Sequence, residues 1–75
     1  MDVAATPSEG DTVALEVLGS GRTEATVALR EELDWHGLRG MAWRIRLRLP
    51  DGSSAEAIQV GRDRLTFIDP RHRVA

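Results

Sequence analysis

The stretch from Met41 to Leu49 constrains the fold of this chain more than any other. Met41, Trp43, Ile45, Leu47 and Leu49 alternate with Ala42, Arg44, Arg46 and Arg48. An extended backbone places residues two apart on one face, so a strand here has one large apolar face and one face carrying three guanidinium groups. A helix would scatter both sets around its circumference. Pro50, Asp51 and Gly52 follow, supplying a fixed φ, a side-chain acceptor and a residue free to take positive φ. Together they predict a hairpin turn.

The return strand, Ala55 to Val60, poses a choice of register. A three-residue loop pairs Arg46 with Glu56 but sends Ile58 and Val60 to the arginine face. A four-residue loop sets Ile58 and Val60 beside Ile45 and Trp43 instead. A one-residue slip exchanges the two faces. Burying two aliphatic side chains is worth about 3 kcal/mol and an exposed ion pair at most about 1 kcal/mol, so the comparison predicts the four-residue loop.

Elsewhere the signals are those of short strands. Residues 1–10 are small, polar and aperiodic, and are expected to form a flexible lead-in. Val13, Leu15 and Val17 mark a strand between Asp11 and Gly19, and Gly19, Ser20 and Gly21 make a turn. Arg22 to Arg30 fits two patterns. As a strand it turns Thr23, Ala25, Val27 and Leu29 inward and Arg30 outward; as a helix it runs from Glu24 to His36, with Gly37 at its C-terminal end. The threonines and Val27 favour the strand. Glu31 to Gly40 then reads as a connection with at most one helical turn, anchored by Leu33, Trp35 and Leu38. Gly61, Arg62 and Asp63 make the next turn. A last strand runs from Arg64 to Asp69, with Leu65 and Phe67 inward and Ile68 on the opposite face, and Pro70 stops it. Residues 71–75 form a basic tail.

The expected fold is all-β: one small domain over residues 11–70, a five-stranded antiparallel meander or half-open, SH3-like barrel. The alternative is α+β, with a helix around Glu24 to His36 packed on a three- to four-stranded antiparallel sheet. The strand-Pro-Asp-Gly-strand pattern occurs in many SH3-like and Tudor-like barrels, covers a single hairpin and specifies no family.

Size and charge then narrow the function. A chain of 75 residues without cysteine has neither disulfides nor thiolate zinc to stabilise a small core, so dimerisation is expected. No apolar run reaches the roughly 20 residues that span a bilayer and no signal-peptide pattern opens the chain, which predicts a cytoplasmic protein without a membrane partner. Up to Gly37 two arginines face eight acidic residues, a net −6, and from Leu38 on eight arginines face four, a net +4. Mutual neutralisation across strands or subunits accounts for this asymmetry better than a face open to polyanions, because the whole chain is acidic.

Candidate catalytic residues are few. Asp34 and His36, with Glu31 and Glu32 nearby, could serve acid–base chemistry, but a histidine in a connection is more often an exposed loop residue. Two histidines and no cysteine do not make a metal site, and phosphate-loop and nucleophile-elbow motifs are missing. The expectation is therefore a non-enzymatic protein-interaction or assembly module without a cofactor, homodimeric or bound to another protein, serving as an accessory or regulatory subunit. Arg44, Arg46, Arg48, Trp35 and Ile68 are the candidate partner-binding residues. The alternative is a nucleic-acid-binding small barrel: arginines two apart on a strand stand about 7 Å from one another, near the phosphate spacing of a single strand, but the stacking aromatics such proteins use are scarce here.

Overall fold

The computed structural model describes residues 7–61 and 63–75, and these form one all-β domain without helix. Six strands follow in order: β1 (Thr12–Val17), β2 (Gly21–Trp35), β3 (Leu38–Arg48), β4 (Ser54–Val60), β5 (Thr66–Phe67) and β6 (His72–Val74). All pairings are antiparallel, in the spatial order β5-β4-β3-β2-β1-β6. The two end strands touch each other, which rolls the sheet into a nearly closed barrel.

The barrel interior holds Leu15, Ala25, Val27, Ile45, Leu47, Leu49 and Ala55, with Val13, Val17, Trp43, Leu65 and Phe67 packed against them. Ile45 and Leu47 are fully buried, as the alternation in β3 requires. Four alanines, Ala25, Ala42, Ala55 and Ala57, are also among the buried residues. Only the first, third and fourth face inward, and their small size lets the sheet curl tightly on itself.

Several expectations are corrected. The α+β alternative falls, because the segment from Glu24 to His36 is strand throughout apart from His36 itself. The ten-residue connection does not exist either: β2 runs on to Trp35 and returns at Leu38 through His36 and Gly37. Both turn residues have positive φ, 53° and 78°, as a two-residue type I′ turn demands. Histidine tolerates that left-handed conformation better than most residues, and the Asp34 carboxylate accepts the Gly37 N–H at 2.9 Å.

The prediction that Leu29 faces inward and Arg30 outward is reversed. Val27 pairs with Leu47 but Leu29 pairs with Arg46, so Ala28 is an extra residue in β2. This bulge exchanges the faces of everything beyond it. Leu29, Glu31 and Leu33 join the arginine face, while Arg30 crosses to the other face and lies 4.2 Å over the Trp43 ring.

The four-residue loop is likewise overturned. Leu49 N–H donates to Ser53 O and Gly52 N–H to Leu49 O, at 2.8 and 3.0 Å, leaving Pro50, Asp51 and Gly52 as a three-residue loop with Gly52 at φ 89°. Arg46 pairs with Glu56, and Ile58 and Val60 lie on the arginine face. The burial comparison failed because it treated that face as open water. Ile58 and Val60 are half-buried there, so the register forfeits only part of their burial, and the inner positions opposite Leu47 and Ile45 hold the small Ala55 and Ala57.

Finally, the expected basic tail is structured: Leu15, Glu16 and Val17 pair with Val74, Arg73 and His72 as the sixth strand. Part of the lead-in, residues 1–6, lies outside the described residues. The remainder is tied down, Gly10 N–H donating to Val27 O at 2.9 Å and Ser8 N–H to the Asp11 carboxylate at 2.8 Å.

Candidate interaction surface

Pairing register assembles the outer face of β2, β3 and β4 into four transverse rows. Leu33, Ala42 and Val60 form the first; Glu31, Arg44 and Ile58 the second; Leu29, Arg46 and Glu56 the third; Thr26, Arg48 and Ser54 the fourth. Directly opposed residues share a face, so each row points away from the barrel core. The central two rows each hold an arginine, a glutamate and an aliphatic residue, in opposite order across the strands.

Both central arginines are neutralised. Arg44 Nη2 lies 3.0 Å from Glu31 Oε1, and Arg46 reaches Glu56 Oε1 through Nη2 at 3.0 Å and Nε at 3.2 Å. The Arg44 Nε is buried and has no acceptor among the described residues. Arg48, flanked by Thr26 and Ser54, is exposed. Around these charges Leu29, Leu33, Ile58 and Val60 are half-buried and Ala42 is fully covered.

Of the sequence-derived candidates, the three arginines share this face, Ile68 lies at its margin and Trp35 lies near the hairpin tip. Arg44, Arg46 and Arg48 are consecutive on this face. Ile68, 64% exposed, is bonded through its N–H to Glu56 O at 2.9 Å, beside β4. Trp35 pairs with Leu38 next to the hairpin turn, beyond a second register irregularity between Leu33 and Trp35, and stands apart from the four rows. It is half-buried and meets the His36 ring edge-on at 5.1 Å. Leu29 and Leu33 were missed as surface residues. The one trace of the bulge in sequence is the apolar run Val27, Ala28, Leu29, which interrupts the alternation.

The Asp34, His36, Glu31, Glu32 group does not converge. Asp34 caps the turn, Glu31 holds Arg44, and the Glu32 carboxylate accepts the Gly40 N–H. These acids shape the hairpin. Among the described residues there is no group of three or more metal-ligating side chains placed to hold an ion, and no helix is long and apolar enough to cross a membrane.

A separate cleft of about 450 Å³ opens between the β1–β2 turn, the β3–β4 loop and the connection from β5 to β6, lined by Val17, Leu49, Asp51, Asp69, Arg71 and His72 among others. Its charges are already engaged. Arg71 grips Asp69, with Nη2 2.8 Å from Oδ2, and holds that carboxyl down to about 2 chiefly through this hydrogen bonding. Asp51 accepts both the hydroxyl and the N–H of Ser53, and the hydroxyl bond foremost lowers its pKa. His72 stacks edge-on against Phe67 at 6.0 Å, closing the seam by side-chain contact.

No protein-family model matches the chain, and neither a curated protein nor a solved structure shows significant similarity to it.

Proposed function

We propose that this chain is a non-enzymatic protein-interaction or assembly module that works as a homodimer, in the role of an accessory or regulatory subunit. The observation that carries the reading is the outer face of β2 to β4, where half-buried aliphatic side chains lie between ion pairs. Apolar surface framed by paired charge is suited to a protein partner, and arginine and tryptophan are enriched among residues that dominate binding energy. The cysteine-free composition fits a reducing, cytoplasmic setting.

The nucleic-acid reading is weaker on this geometry. A phosphate would have to displace Glu31 from Arg44 and Glu56 from Arg46, and Trp35, the candidate stacking ring, is half-buried near the hairpin tip. Light scattering together with oligonucleotide titration tests the choice. The module reading predicts a mass near twice the 8.3 kDa chain and no oligonucleotide binding at about 150 mM salt. A monomer that binds oligonucleotides with steep salt dependence, lost in an Arg44, Arg46, Arg48 triple alanine variant, overturns it in favour of nucleic acid.

A further inference from the structure

We infer that the outer face of β2 to β4 docks on the same face of a second copy, about a two-fold axis parallel to the strands between β3 and β4. The inference rests on the homodimeric reading and specifies its interface.

Charge placement in the third row selects this arrangement, while in the second row the same axis lays Arg44 across Ile58 of the partner subunit. In an isologous contact each residue meets its mirror position across the axis. With the axis on β3 itself, Arg44 and Arg46 would face their own copies, which repels. Moved half a strand toward β4, the axis sets Arg46 against Glu56 of the partner subunit and Glu56 against Arg46 of the partner subunit. The intramolecular pair, 3.0 Å apart, then becomes a closed four-charge cluster. The same axis sets Ala42 against Val60 of the partner subunit, in the first row. It also brings Leu29 opposite Ile68 of the partner subunit, since Ile68 is anchored beside Glu56, so that the most exposed aliphatic near β4 gains an apolar partner. An axis half a strand the other way, between β2 and β3, would pair Arg44 with Glu31 across copies but leave Ile58, Val60 and Ile68 beyond the contact.

The size is adequate. A standard interface covers about 800 Å² per partner, near 15% of this molecule's 5240 Å². Strands of 15, 11 and 7 residues, with half their side chains outward, offer about 16 residues. Ile68 and the β5 margin bring this close to the roughly 20 used by each side of a stable complex.

Sedimentation equilibrium of the full chain tests this with Arg46→Glu, Glu56→Arg and their equimolar mixture. Each single variant places like charges across the axis and is expected to raise the dimer dissociation constant about 100-fold or more. The mixture restores opposite charges at both contacts and should return the constant to within about tenfold of the unaltered chain. Ile68→Arg, at a site too exposed to disturb folding, should weaken the dimer likewise and covers the case in which a charge variant fails to fold. If the unaltered chain dimerises but all three variants match it, or the mixture fails to restore association between folded single variants, the proposed face is wrong while the homodimeric reading stands. If the unaltered chain is monomeric, both fall.

Discussion

The two faces of β3 differ in what their side chains do. Inward, Ile45 and Leu47 are fully buried among small neighbours, and Gln59, opposite Trp43, is the buried polar side chain among the described residues. Outward, Arg44 and Arg46 are part-exposed, held by Glu31 and Glu56, with aliphatic side chains filling the spaces between. The inner face is finished within one chain, whereas the outer face is neither an ordinary solvated surface nor a closed core. In so small a domain, apolar side chains that the interior has no room for are carried on the other side of the sheet, where a partner can cover them.

Truncating each face in turn breaks the comparison most strongly. Leu47→Ala or Ile45→Ala should lower unfolding free energy by about 2–5 kcal/mol, the cost of a cavity in a packed core. Ile58→Ala, measured by urea unfolding at a concentration too low for association, should cost less than about 1 kcal/mol, since the residue is only half-buried in one chain. Equal losses at both positions would erase the distinction.

The turn that assigns Ile58 to the outer face can be altered next. Inserting one glycine between Asp51 and Gly52 leaves the Leu49–Ser53 pairing and both faces of β4 unchanged if the loop grows to four residues, whereas keeping the three-residue turn would slip β4 by one residue and drive Ile58 and Val60 toward an interior built for Ala57 and Gln59. The slip would cost about 1–3 kcal/mol from overpacking, so the longer loop with unchanged faces is expected, read as a loss below about 1 kcal/mol in thermal or urea unfolding. Gly52→Ala isolates the backbone contribution. The added Cβ meets nothing within 4 Å but must adopt φ 89°, so a loss of about 1–2 kcal/mol is expected with the fold retained.

At the other end of β3, His36→Asn keeps the left-handed turn between β2 and β3 and installs the Asn-Gly pair that type I′ turns prefer. A gain of a few tenths of a kcal/mol is expected in the same assay. The smallest effect concerns acid. Asp69 is held at about 2 in the folded chain, below the usual carboxylate value. Its contribution is therefore present above about pH 4 and fades as pH falls toward 2. Asp69→Asn should flatten that part of the melting-temperature profile, and an unchanged profile would remove the Arg71 pair from the account.

The strand identity of residues 41–49 and the position of its turn were legible because period-two alternation and Pro-Asp-Gly are local signals. Register and bulge were not, since both depend on how much room the far side of a strand has. The sequence ranks Ile58 and Val60 as core residues by hydrophobicity, but only a closed sheet reveals that Ala55 and Ala57 already occupy the inner positions of β4. Ala28 gives a similar lesson: the apolar run Val27, Ala28, Leu29 interrupts the alternation without saying which residue goes unpaired, yet the bulge decides that Leu29 joins Arg46 and that Arg30 covers Trp43. Arg44, Arg46 and Arg48 stay on one face because β3 itself keeps its alternation. The sixth strand was hidden by Pro70, which reads as the end of the ordered strands, whereas β5 is only Thr66–Phe67, shorter than the expected Arg64 to Asp69, and His72 to Val74 pair with β1 beyond the proline.

The most direct measurement is an isotope-filtered nuclear Overhauser experiment on an equimolar mixture of ¹³C-labelled and unlabelled chains at a concentration where they associate. The account predicts contacts between copies from the methyl groups of Leu29, Val60 and Ile68, and none from Leu15, Ile45 or Leu47. Contacts between copies from the interior leucines and Ile45, or their absence from the outer-face methyls, would contradict it.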